Sequence, residues 1–509
     1  MIGFAPTPGP TARASRAACG VRSRTDADTR RERHTRGAVA GAGAPSSTGV
    51  LSRPSARVRA RLNGAGAAVA AGAMAGVAWL GFAIWIGAHP VSVGSDDALF
   101  FVRGVERMSV LEMRPHFPGY PAFVLVSRLL APVTGSAAGG VALLTAAAAL
   151  ALPLLGAAWV RCAGGTAVAA AACAMALVGQ PLGPTLALSL LSDGVGLACL
   201  VGHLVALERR ADRVAGGLLG LAVSARPSYA VMLAASLLAL ALLDRSRATR
   251  VATSVAIVGA ASVLVVIGAD GPAYLAEGAR FLRGHFLLWG APGVAPGQAT
   301  WAGALRALLG GGPGLVLAGL AIVLAGTGID RRRASLVVAA AMWAAYAGWM
   351  LGAQNPAHLR HAAPLVAIGI PLVVLATRAL HPSVVPVAHA ALVAWMAAVT
   401  LPSVGIAPAA APLEQAASSD ALPPGAVLLT QRGVELLRDR RPDLRIHDLY
   451  YAASAARAVE RAGEVPVMRL SGSSVGDCYT AVASFDGRYP GEDALTLYAR
   501  DRAECDVSG

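Results

Sequence analysis

The chain has 509 residues, of which 55% are hydrophobic and only 14% charged, and it carries a net charge of +14. That balance excludes a disordered chain and is too apolar for an ordinary soluble domain. Apolar runs of roughly 17 to 24 residues recur along it, each long enough to cross a hydrocarbon core of about 30 Å, so the expectation is an all-α polytopic membrane protein and not a barrel.

Residues 1–62 are rich in Arg, Ala, Gly, Ser and Thr and lack an apolar run, which reads as a disordered basic tail. The first apolar segment, residues 65–88, has full membrane length and reads as a signal anchor with the tail on the cytoplasmic side. The outer loop that follows, residues 89–136, holds "SVGSDDALFFVRGVERMSVLEMRPHFPGYPAFVLVSRLL". Its apolar stripe Ala98, Phe101, Val102, Val105 and Met108 has helical spacing, and residues 120–133 are too short to span comfortably, so both segments are expected to be interfacial helices.

Further helices are expected over 137–160, 165–180 and 185–207. A hairpin over 214–243 is broken by "SARPS" and carries Arg226 at its tip, and helices over 251–269, 313–329, 334–352, 364–380 and 384–406 complete the set. Counted with the hairpin, about eleven transmembrane helices are expected in this region, residues 63–408. Asp193 falls several residues inside the 185–207 helix on these bounds. A single topology puts the arginines at 161, 209, 210, 213, 245, 247, 250, 331–333 and 378 on one side, as positively charged inner loops require. The basic charge is thereby explained by topology, and no nucleic acid need be invoked.

From residue 409 to 509 the composition changes. "AVLLTQ", "RIHDLYY", "VPVMRL", "YTAVASFD" and "ALTLYARD" read as strands, and "GVELLRDRRPD" and "AASAARAVERAG" as helices, which together predict a small extracytoplasmic α/β domain. Of six cysteines, Cys162, Cys173 and Cys199 fall in or beside apolar helices as packing residues. Cys478 and Cys505 lie in the C-terminal region, either bonded to each other or as two free thiols.

Unusual polar residues gather on the outer face of this topology, where ionisable groups near the membrane mark either a site or a paired structural contact. Asp96 and Asp97 open the first interfacial helix. One of them either caps that helix or accepts a proton from an acceptor hydroxyl while the other holds a cation or orients the first. His116 precedes the Pro-Gly-Tyr-Pro turn, which explains the prolines but not the imidazole. Arg226, Arg360 and His361 sit at outer helix ends, either snorkelling or meeting a lipid phosphate. His285 and Trp289, in the loop 270–312, belong to a substrate wall or to an aromatic interface belt. No nucleotide-binding, zinc or serine-hydrolase motif occurs in a supporting context, so the energy for any chemistry has to arrive within the substrate.

The order of these features resembles the GT-C superfamily of integral-membrane glycosyltransferases. The features are a first apolar helix, Asp-Asp in the first outer loop, "HFPGYPAFVLVSRLL", and a second aspartate in "LSLLSDGVGLACL". More closely, the chain resembles the protein O-mannosyltransferase-like, phospholipid-carrier-dependent group, with Phe117 where those proteins often carry the first proline of His-Pro-Pro-Gly-Tyr-Pro. The resemblance implies Asp96 or Asp97 as catalytic base and Asp193 as a second-loop carboxylate that shapes or charges the site. It also implies Arg226 in place of a lysine, and Arg360 in "HLRHAAPLV" as a contact to the carrier phosphate.

The implied reaction is inverting transfer of a sugar from a polyprenyl-phosphate donor to a glycan, lipid or protein hydroxyl on the outer face of the plasma membrane. A divalent metal ion held by Asp96, Asp97 and Asp193 stays open as a cofactor. A transporter or lipid flippase, and a catalytically silent GT-C-like scaffold, are the alternatives.

Overall fold

The computed structural model describes residues 56–284, 300–328, 330–405, 407–489 and 491–501. Most of the basic tail, together with His285, Trp289 and Cys505, lies outside the described residues. The helices before the C-terminal sheet are α1 (Ala56–Ala88), α2 (Asp96–Glu106), α3 (Pro121–Thr134), α4 (Ala137–Cys162), α5 (Ala167–Val178), α6 (Gly183–Leu188), α7 (Asp193–Glu208) and α8 (Asp212–Ala225). They continue as α9 (Ala230–Leu243), α10 (Arg245–Asp270), α11 (Ala273–Gly284), α12 (Trp301–Leu308), α13 (Gly311–Gly328), α14 (Ala334–Ala353), α15 (Ala363–Ala376) and α16 (Val385–Thr400).

Among the described residues, six helical segments are long and apolar enough to cross a membrane: 65–88, 137–162, 245–270, 311–328, 334–353 and 359–379. The shorter apolar segments 121–134, 167–178, 227–243 and 385–400 fall below that length. Small residues set the helix spacing. A Cβ on Gly216 of α8 would lie 2.3 Å from the Val251 carbonyl oxygen of α10, so the two backbones pack at a distance only glycine allows.

The single helix expected over 185–207 is broken. α6 ends at Leu188, Leu190 takes φ 58, and the chain restarts as α7 at Asp193. Asp193 is therefore the first residue of a helix and not an interior one. The hairpin around "SARPS" is as expected, with Arg226 in the bend between α8 and α9.

The bundle has two chemically different ends. At one, Arg333 pairs with Glu208 at 2.6 Å, Arg247 and Arg250 both pair with Asp212 at 2.8 Å, and Arg378 donates to the Ala163 carbonyl. The 20-residue α14 separates that end, at Arg333, from Gln354 and the "NPAHLRH" segment, by about 30 Å at 1.5 Å per residue.

The C-terminal region contributes α17 (Pro412–Ala417), β1 (Val427–Thr430), α18 (Val434–Arg440), β2 (Arg445–Asp448), α19 (Ala452–Glu460), β3 (Val467–Ser471), β4 (Tyr479–Phe485) and β5 (Leu495–Arg500). All seven predicted elements of this region form where the pattern placed them. The sheet order is β2-β1-β3-β5-β4, with β1 parallel to β2 and β3, and the remaining pairs antiparallel. β1, "VLLT", is buried throughout, as the central strand of parallel crossovers must be.

This region does not stand apart. Ala98, Phe101 and Val105 of α2 share one buried cluster with Leu428 of β1 and Leu436 and Leu437 of α18. Glu414 accepts hydrogen bonds from Ser92 Oγ at 2.7 Å and Val93 N at 3.1 Å. Residues 65–509 thus form one compact unit. Cys478 is disulfide-bonded, and Cys162, Cys173 and Cys199 are free.

Candidate active site

The two adjacent aspartates part company. Ser95, not an aspartate, caps α2: its Oγ accepts from Ala98 N at 3.2 Å. Both carboxylates in the first turn are released for other partners, in the position the helix dipole favours. Asp96 Oδ1 accepts from Leu436 N at 2.9 Å, so it caps the N-terminus of α18 in the C-terminal sheet domain, where Gly433, at φ 61, offers no side chain for the purpose. Burial pushes the Asp96 carboxyl up, against the backbone N–H groups of Leu436 and Glu435, with the charge of Asp97 adding to the rise.

Asp97 points the other way, into a cavity of about 710 Å³. Its Oδ2 accepts from Arg360 Nη2 at 2.8 Å, and its Oδ1 lies 3.9 Å from His116 Nδ1. Burial alone would raise this carboxyl, but the charges of His116 and Arg360 and the Arg360 hydrogen bond outweigh it and hold Asp97 well below the usual carboxylate range.

His116 is oriented from its far side. Its Nε2 lies 2.9 Å from the Tyr120 hydroxyl. Burial pushes the Tyr120 phenol up to about 12, so it stays a neutral hydroxyl beside the ring, while Nδ1 is the nitrogen that faces Asp97. Met113 and Tyr120, at φ 58 and 47, hold left-handed backbone on either side of His116. The turn between them contains cis peptide bonds at Arg114–Pro115 and Phe117–Pro118.

Arg226 enters the same cavity from the α8–α9 bend and is held from behind by Asp193, Nε to Oδ1 3.1 Å, with both side chains buried. Tyr229 packs beneath and donates to the Asp193 carbonyl at 3.3 Å. The approach depends on Gly196, where a Cβ would lie 2.6 Å from the Tyr229 ring and 3.0 Å from Arg226 Cβ. Asp193 is not among the residues lining the cavity; it meets Arg226, which is.

Arg360 and His361 ride on a short 3-10 turn, Leu359–Ala362, that leads into α15, and both face the cavity. His358, just before it, also lines the wall, and burial together with the Arg360 charge pushes its imidazole down to about 4, so it is neutral near pH 7.

Five of the eight residues singled out in the sequence therefore converge: Asp97, His116, Arg226, Arg360 and His361. Asp96 and Asp193 stand one step behind, and His285 lies outside the described residues. The three aspartates do not meet, and among the described residues no group of three or more His, Cys, Asp or Glu side chains is placed to hold a metal ion. The described residues do not fit a metal centre. Tyr120 and His358 were not singled out, although both sit in quoted segments, two to four residues from residues that were. The apolar wall, with Phe281 of α11 stacked near His116 and Phe117, was equally unmarked.

In sequence, the chain matches no protein-family model and no curated protein. In structure it is similar to ArnT from Cupriavidus metallidurans bound to undecaprenyl phosphate, with a TM-score of 0.50 at 14% identity, over 85% of this chain and 97% of that one. Apo ArnT from the same organism gives a TM-score of 0.47 at 13% identity, over 83% of this chain and 97% of that one. ArnT is a GT-C glycosyltransferase, and this membrane protein has the GT-C fold.

Proposed function

We infer that the chain is a membrane glycosyltransferase that moves a sugar, a hexose or pentose, from a polyprenyl-phosphate donor to a hydroxyl acceptor, with inversion at the anomeric carbon. The observation that carries this reading is one carboxylate, Asp97, sharing a cavity of about 710 Å³ with two guanidiniums, the buried Arg226 and the half-buried Arg360. Such a set receives a phosphate and removes a proton in the same space. The fold shared with an ArnT that binds undecaprenyl phosphate supports a polyprenyl-phosphate carrier. The arginine clusters at the far end of the bundle and the disulfide at Cys478 support an extracytoplasmic site in the plasma membrane, with the N-terminus in the cytoplasm.

In the reaction, the acceptor oxygen forms a bond to the anomeric carbon while the bond from that carbon to the phosphate oxygen breaks. The hydroxyl proton passes to Asp97, and the charge growing on the phosphate is taken up by Arg226 and Arg360 through charge-assisted hydrogen bonds. A carboxylate paired with Arg360 is a weak base. Donor phosphate draws Arg360 onto itself, which relaxes the hold on Asp97 and raises its basicity as the donor arrives. His116, held between Tyr120 and Asp97, keeps the carboxylate oriented, and Asp193 keeps Arg226 extended into the cavity.

The test is transfer from an undecaprenyl-phosphate sugar by the protein in lipid nanodiscs. Asp97→Asn abolishes transfer while still binding undecaprenyl phosphate, and Arg226→Ala with Arg360→Ala loses that binding. Full activity in Asp97→Asn, or unchanged lipid-phosphate binding in the arginine double variant, overturns the reading.

A further inference from the structure

The cavity holding Asp97 has a neighbour. A more open cleft of about 1010 Å³ lies between α2 and the C-terminal sheet, and Phe100 and Met113 line both spaces. The aspartate pair straddles them, with Asp96 on the wall of the cleft and Asp97 on the wall of the cavity. The far wall of the cleft comes from Gln431 after β1, His447 and Asp448 at the end of β2, and Tyr451, Ser454 and Arg457 around α19.

These are the carboxyl ends of two parallel strands. β1 is also where the strand order reverses, since β2 lies on one side of it and β3 on the other. Open α/β sheets take ligands outside the carboxyl ends of their strands at such a point. Here that end faces α2 and the mouth of the reaction cavity.

We propose that this cleft is the acceptor subsite and that it takes a neutral oligosaccharide, an assignment that rests on the glycosyltransferase reading of the adjoining cavity. The volume reaches the upper end of the roughly 300–1,000 Å³ usual for small-molecule pockets, which suits several sugar residues better than one. Most of its charges are paired within the protein: Arg103 with Asp439 at 2.9 Å, Arg438 with Glu435 at 2.7 Å and Glu112 with Arg107, while Asp448 accepts from the Tyr450 backbone N–H. What remains toward the space is amide, imidazole, hydroxyl, guanidinium and the Asp448 carboxylate, groups that satisfy paired sugar hydroxyls, beside Tyr451, which is 64% exposed and whose ring, edge-on to Tyr450, offers a face for the apolar side of a pyranose. A lipid acceptor would need a continuous apolar wall, which this cleft lacks. A saccharide lying here passes its terminal hydroxyl between Phe100 and Met113 to Asp97.

The experiment uses the full chain in nanodiscs, with two separate readouts. Saturation-transfer NMR with a panel of neutral hexose and pentose di- and trisaccharides reports the cleft, and binding of undecaprenyl phosphate reports the cavity. At least one saccharide binds the wild type, and Tyr451→Ala combined with Arg457→Ala weakens it tenfold or more, leaves lipid-phosphate binding unchanged, and raises the acceptor KM with kcat preserved. A protein that binds undecaprenyl phosphate but no saccharide, or whose saccharide binding ignores the double variant, overturns the subsite. Transfer only to a peptide or lipid hydroxyl overturns it too. Loss of lipid-phosphate binding in the wild type strikes instead at the reading of the cavity, so the two failures are distinguishable.

Discussion

Asp96 and Asp97 are neighbours with opposite duties, and the contact that separates them joins residues 340 positions apart. The sequence marks the pair as chemically unusual but carries no local signal of which carboxylate turns to α18 and which to Arg360. The same holds for Tyr120, read as part of a turn until its hydroxyl is seen beside His116. The Asp97–Arg360 pairing has a pH consequence. Arg360 lowers the Asp97 carboxyl, so Arg360→Gln raises it, and the acid limb of the kcat/KM profile moves to higher pH. An unmoved limb in that variant removes Asp97 from the profile. His358 acts on stability. Its imidazole falls from 6.5 to about 4 on folding, so its neutral form contributes stability that is complete above pH 6.5 and is lost as pH drops toward 4. Thermal unfolding of His358→Asn is accordingly less pH-dependent than wild type over that window.

At the scale of elements, the amphipathic and apolar runs place nearly every helix within a few residues, because burial against lipid and protein needs only composition and period. The exception is instructive. The run over 185–207 is apolar enough to read as one helix, and in "LALSLLSDG" only Ser189 and the Ser192-Asp193-Gly194 stretch hint that the helix stops and restarts. The break is what sets Asp193 at a helix start facing Arg226. Gly196, one turn on, holds the clearance for Arg226 and Tyr229. Gly196→Val pushes those side chains away and lowers transfer at least tenfold through weaker carrier-phosphate binding, with the α-helical circular dichroism intact. Wild-type affinity for undecaprenyl phosphate in that variant refutes the packing argument. Asp96→Asn, by contrast, weakens only a cap worth about 1 kcal/mol and leaves the order of reaction steps unchanged.

On the scale of the whole molecule, charge segregation was legible in the sequence: the arginines that define one face do assemble at one end of the bundle, about 30 Å from the cavity. Residues 409–509 do not pack alone, because α2 and the sheet bury one continuous cluster. A cysteine placed at Arg332 in an otherwise unreactive variant stays unlabelled by a membrane-impermeant thiol reagent in sealed cells, and labelling there reverses the orientation. A chain ending at residue 408 exposes Ala98, Phe101 and Val105 and is degraded or aggregates. Normal accumulation of that truncation would mean the shared core contributes little.

That helix α18 begins on a carboxylate of the first outer loop also matters during synthesis. The loop bearing Asp96 and Asp97 emerges early, while the backbone amide of Leu436 that it binds is made more than three hundred residues later. Until residues 427–446 have been made and have docked, the loop has no fixed partner on that side. The wall that separates the two aspartates is therefore completed late in synthesis, once α18 is in place.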